Sequence, residues 1–225
     1  MKDFEPSKYD FSIELPNDTD RLFNDCNIDY RHNAILRSGK KWFMVYSEAY
    51  RLAAEKLFEQ LDGSAYISNH LVYPIVFLSR QYIELSLKEL INGLNYVRIE
   101  KYTFPCDHKL KSLWDKYVSL SSNINKYQKP EETVLKNMER LISEFEEIDT
   151  FSMNFRFPTD KSEERKPSLK RTNIDLENFR ITMSKISNFL TWQSNAIYDE
   201  IDKAEEYYYS LWEKLEIESD KKDMN

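Results

Sequence analysis

An all-α, up-and-down bundle of about five helices is the fold this sequence predicts, and three observations predict it. Glycine occurs only 3 times and proline 7 times in 225 residues, too few for the turns a many-stranded sheet needs. The stretch Pro74–Ile91, PIVFLSRQYIELSLKELI, is apolar around most of a helical projection, and a helix of that kind is buried by neighbours on several sides. Elsewhere apolar residues recur at three- and four-residue steps over several turns.

Taken in order, residues 1–37 form an N-terminal arm. Pro6, Pro16, Asn17, Asp18 and Asp20 are mixed with scattered aromatics, without a period of their own, and a short helix near Asp20–Asn27 is the one element they suggest. A bundle domain spans 38–202. Its first helix is expected from Lys40 to Leu61, on Trp42, Val45, Ala49, Leu52, Ala53, Leu57 and Leu61, with Asp62-Gly63 closing it. The central helix follows, Pro74 either opening it as a first-turn residue or kinking a longer one, and Asn92-Gly93 reads as its stop. Asp107 is placed to cap a third helix, His108–Leu120, carrying Leu110, Leu113, Trp114 and Tyr117. Pro130-Glu131-Glu132 opens a fourth, where proline and acids suit a helix N-terminus; its stripe is Val134, Leu135, Met138, Leu141, Ile142, Phe145 and Ile148. Residues 149–172 lose all period, and a loop of that length inside a domain is functional or disordered. Asn173 then caps a long helix running through Ile201, and 203–225 form an acidic C-terminal helix or tail with frayed last residues.

The formal net charge of -7 argues against bulk electrostatic coating of nucleic acid. Two cysteines, Cys26 and Cys106, make neither a disulfide framework nor a four-thiolate metal site, which points to a reducing cytoplasm. MKDFEPSKYD lacks the order of a signal peptide, and the longest apolar run, Leu71–Leu78, is too short to cross a bilayer.

Candidate chemistry gathers at three places. On the central helix, Arg80, Glu84 and Lys88 stand at i, i+4, i+8 on the one narrow polar strip, with Gln81 beside them. Such a row is either plain ion pairing on a solvated face or the lining of a groove, where guanidinium and ammonium suit phosphate. His108 sits at the start of the third helix, as a structural residue or an acid/base. In the loop, FRFPTD sets Phe155, Arg156, Phe157, Pro158 and Asp160 together: the aromatics are anchors, or they hold Arg156 toward a pocket with Asp160 orienting it. His32 and His70 lack partners at ligand spacing, so neither a metal nor a cofactor is expected. GxxxxGK[ST], GxGxxG and GxSxG are absent.

The ordered set FLSRQYIELSLKELI, DHKLKSLW and FEEIDTFSMNFRFPTD resembles the HEPN superfamily, in particular its stand-alone bacterial members. The likeness covers Trp42–Asp160. It implies an all-α bundle, commonly a homodimer, at toxin–antitoxin, abortive-infection and other antiphage loci. Many HEPN proteins are metal-independent endoribonucleases whose arginine and histidine, four to six residues apart, stabilise phosphate charge and move protons at the 2′-hydroxyl. This chain departs from that motif: Arg31 and His32 are adjacent, Arg51 is too far from His70, and Arg98 precedes His108 with nine residues between. Nuclease activity is therefore not carried over with the likeness. The resemblance implies a HEPN-like protein acting on or binding RNA in antiphage defence or stress response. If it cleaves RNA, His108 is the expected acid/base and Arg80 and Arg156 the phosphate clamps, with Glu84, Lys88 and Asp160 as binding residues. The alternatives are a non-catalytic dimerisation module holding a protein from the same locus, and a small-ligand sensor with its pocket between the central helix and the FRFPTD loop.

Overall fold

A computed structural model describes residues 16–23, 31, 33–36, 42–98, 105–122, 129–160 and 162–223, with side chains as far as residue 210. The chain divides into two compact units, Met1–Gly39 and Lys40–Asn225. In the first, Asn17–Asp20 is a tight turn in which the Asn17 amide donates to Asp20 Oδ2 at 2.8 Å and the Asp20 amide to the Asn17 carbonyl at 3.2 Å. Asp20–Phe23 is not helical, and the rest of the short helix expected there lies outside the described residues.

The second unit holds five helices: α1 Trp42–Phe58, α2 Ala65–Val97, α3 Leu110–Ser122, α4 Glu132–Ile148 and α5 Leu176–Asp223. Among the described residues there is no strand, only one isolated bridge between Thr159 and Pro167. The fold is all-α, as the scarcity of glycine and the helical periods predict. α2 is the centre: it packs against α1, α3 and α5, while α4 packs mainly on α3. Ile83, Leu87, Leu90, Ile91 and Leu94 of α2 are all buried and meet Leu113, Trp114 and Tyr117 of α3, Ile142 of α4 and Phe189 and Leu190 of α5 in one core.

Some boundaries differ from the expected ones, and others settle an alternative the sequence leaves open. α2 begins nine residues before Pro74 and runs through it; the turns before Pro74 are exposed, with Tyr66 at 70% and Tyr73 at 48%, and burial begins at Ile75. Gly93 does not stop the helix, which continues to Val97. It is there because α5 presses on it: a Cβ at Gly93 would lie 2.5 Å from Ile197 Cγ2. α5 is capped by Asp175, not Asn173, since Asp175 Oδ1 accepts the Asn178 amide at 3.0 Å. Of the helix or tail expected after residue 202, the helix forms as a continuation of α5, which extends for 48 residues in all, about 70 Å at the α-helical rise. α1 stops at Phe58, three residues short of the expected Leu61, and the left-handed Gly63, φ 84°, lies in the link to α2.

α1 carries its apolar residues on two faces. Ser47, Ala54 and Phe58 are buried with Tyr50 half-buried, whereas Trp42, Val45 and Leu52 of the periodic stripe are about half exposed, at 48%, 50% and 49%. Residues 149–172 fold back on themselves. The Asp160 amide donates to the Lys166 carbonyl at 2.8 Å and the Ser168 amide to the Pro158 carbonyl at 3.0 Å. Phe155 plugs this loop into the core at 6% exposure, while Phe157 stays 46% exposed.

Candidate functional site

The helical spacing of Arg80, Glu84 and Lys88 places the three on one face of α2, and that face is not solvated. Arg80 is fully buried, Glu84 is 3% and Lys88 6% exposed. The strip is covered by the turn into α3 and by the end of α4. Arg80 Nε donates to the Asp149 carbonyl at 2.9 Å, Nη1 to Glu84 Oε2 at 2.9 Å, and Nη2 to the carbonyls of His108 at 2.8 Å and Thr150 at 3.3 Å. Every nitrogen of the guanidinium is thus engaged inside the protein. Lys88 Nζ donates to Glu84 Oε1 at 2.9 Å.

Asp149, the residue that ends α4, completes the cluster. Its Oδ1 accepts the amides of Met153 and Asn154 at 2.7 and 3.0 Å. Its buried Oδ2 has no hydrogen-bond partner and lies 3.9 Å from Arg80 Nε. Two cations and two anions therefore balance in the interior, the condition under which buried charge is tolerable. Gln81 adds a tie from the same face, donating to Ser152 Oγ at 2.5 Å.

At the edge of this cluster stands His108. Its side chain is 69% exposed, and Nδ1 lies 2.8 Å from Glu84 Oε1. Burial pushes the Glu84 carboxyl up, but hydrogen bonds from Lys88 and His108, the Lys88 charge and the Arg80 hydrogen bond together outweigh it and hold the carboxyl below its ordinary value. An ionised carboxylate only accepts, so Nδ1 carries the proton in this bond. In the neutral ring Nε2 is then the free lone pair. Glu84 and His108 form an oriented imidazole–carboxylate dyad at the protein surface.

The other two residues singled out by the sequence lie elsewhere. Arg156 is exposed, its guanidinium over the rings of Phe77 and Phe157 at 5.6 and 5.3 Å. Asp160 is exposed in the loop, accepting the Ser162 amide at 3.0 Å and the Lys166 amide at 3.1 Å. Arg80, Glu84, Lys88 and His108 converge; Arg156 and Asp160 do not join them. Sequence reasoning missed Asp149. It is the first residue past an amphipathic helix, and a lone acid there carries no signal of burial. Among the described residues, no group of three His, Cys, Asp or Glu stands where it could hold a metal ion, and no helix is long and apolar enough to cross a membrane.

No protein-family model matches the chain, and neither a curated protein nor a solved structure is significantly similar to it.

Proposed function

We propose that this is a HEPN-like helical protein of the bacterial cytoplasm that serves antiphage defence or stress response as an interaction module. In this reading it pairs with a second copy of itself and with a protein from the same locus. The observation that carries the proposal is the state of Arg80. A HEPN-type ribonuclease needs an arginine that reaches phosphate, and here the arginine of the central strip is wholly buried with all its nitrogens bonded to the fold.

The open stripe on α1 supports self-pairing. About a two-fold axis at Ala49, an antiparallel copy of α1 sets Trp42 opposite Lys56 and Val45 beside Leu52, matching cation to ring and apolar to apolar. The small Ala49 at the axis lets the two helices approach closely.

A second reading, a metal-independent endoribonuclease, is favoured by one observation, the exposed His108 ring held by Glu84. In it His108 moves the protons, and the RNA phosphates are met by the loop basic residues, Arg156 among them. Incubating the purified chain with total RNA and with tRNA in the presence of chelator separates the two. The module reading expects intact RNA and a dimer by light scattering that Val45→Glu with Leu52→Glu converts to monomer. RNA cleavage that disappears in His108→Ala and Arg156→Ala replaces it with the second reading.

A further inference from the structure

α4 and α5 stand apart over most of their lengths and meet at a floor where the Phe145 and Phe179 rings are 5.9 Å apart. Between them runs a groove of about 680 Å³, a volume typical of small-molecule sites. It is lined along α4 from Val134 to Ile148 and along α5 from Asn178 to Phe189, hence about 20 Å long at the α-helical rise. A groove of that length accommodates one extended alkyl chain.

The chemistry of the walls agrees with that shape. The floor is made of Phe145, Phe155, Phe179 and Phe189 with Met138 and Met183, rings and thioethers that mould to a flexible chain. On the rim, Arg140 Nη1 and Arg171 Nη2 lie 3.8 and 4.0 Å from the same Glu144 carboxylate. Two guanidiniums on one carboxylate leave net positive charge, and both distances are too long for hydrogen bonds. The remaining rim acid, Asp175, is occupied in capping α5, and Lys185 adds another cation.

We infer that the α4–α5 groove binds a single-chain amphiphile with an anionic head, the chemistry of a long-chain fatty acid. The chain lies over Phe145, Phe155 and Phe179, and the carboxylate lies against Arg140 and Arg171. None of Arg80, Glu84, Lys88 or His108 lines the groove, so the inference stands apart from both readings of the central cluster.

The test uses the full chain and a dansyl-labelled undecanoic acid, whose emission rises in apolar surroundings, displaced by dodecanoate below its micellar concentration. Wild-type protein is expected to bind saturably, one molecule per chain. Leu141→Trp, which fills the slot, should weaken binding by about tenfold or more. Reversing both rim charges, Arg140→Glu with Arg171→Glu, should weaken dodecanoate by about fivefold while leaving dodecanol unchanged. Arg140 and Arg171 are 66% and 57% exposed, so the charge-reversed protein folds and decides the matter even where Leu141→Trp does not. Absence of saturable binding by the wild type, or equal dodecanoate affinity after charge reversal, overturns the inference.

Discussion

Arg80 and His108 sit at two ends of one hydrogen-bonded cluster and respond oppositely to substitution. Arg80→Met removes the counter-ion of Glu84 and strands the carbonyls of His108, Asp149 and Thr150, all of which Arg80 now serves. Breaking a buried pair in this way costs about 3–5 kcal/mol, and chemical denaturation should show a loss of that size. His108→Ala removes a largely exposed ring and leaves Glu84 bonded to Arg80 and Lys88; the expected loss is about 1 kcal/mol or less. Equal losses in the two variants contradict this division of labour. Glu84 also sets a pH dependence. Its carboxyl is lower in the folded protein than its ordinary 4.5, so its contribution is complete above that value and lost as pH falls through the lower folded one. Stability measured from pH 6 to 3 should fall more steeply in the wild type than in Glu84→Gln, and parallel curves reject the assignment. The groups facing Glu84 in that range are Arg80, Lys88 and His108.

At the scale of elements, Gly93 shows what a sequence reads well and what it misreads. Glycine after a helical run looks like a stop because its local preference is for turns. Only the approach of Ile197, from another part of the chain, explains a glycine inside a helix. Gly93→Ala gains helix propensity, about 1 kcal/mol, yet places a methyl against the buried Ile197 side chain, which costs about 1–3 kcal/mol as overpacking. Net destabilisation is expected, and Gly93→Ala with Ile197→Ala should lose less than the sum of the single changes; strict additivity argues against the contact. The same limit governs the other elements. Periodicity locates all five helices, because amphipathic spacing is a local property, and it marks Arg80, Glu84 and Lys88 as one row. It does not say which of two apolar faces of α1 is covered. It gives no sign that Asp149 is buried, or that Arg156 turns toward Phe77, since these follow from how the loop after α4 closes.

For the molecule as a whole, the core gives out along α5 before residue 205. Ile197 is buried and Ile201 half-buried, whereas residues 205–210 are all exposed, Tyr209 at 76%. Helical stability in proteins comes mainly from tertiary packing, which residues 205–210 lack. Hydrogen exchange should therefore show amides 183–197 protected to near the global stability and amides 205–210 exchanging orders of magnitude faster; uniform protection along α5 would mean that a further surface covers its far end. The Arg80 latch has a consequence in time as well as in energy. Its partners lie 28, 69 and 70 positions further along the chain, so the guanidinium finds its full set of acceptors only when the turn before α3 and the end of α4 have both arrived. Until then it is better left in water, and the middle of the bundle stays wet. Closure of the latch accordingly falls late, after the folding barrier, and Arg80→Met should speed unfolding by roughly two to four orders of magnitude while barely changing the refolding rate in stopped-flow measurements. A chain that stops or misroutes anywhere between residues 84 and 149 leaves a positive charge stranded against its own centre, which keeps that centre open to proteases until assembly is complete.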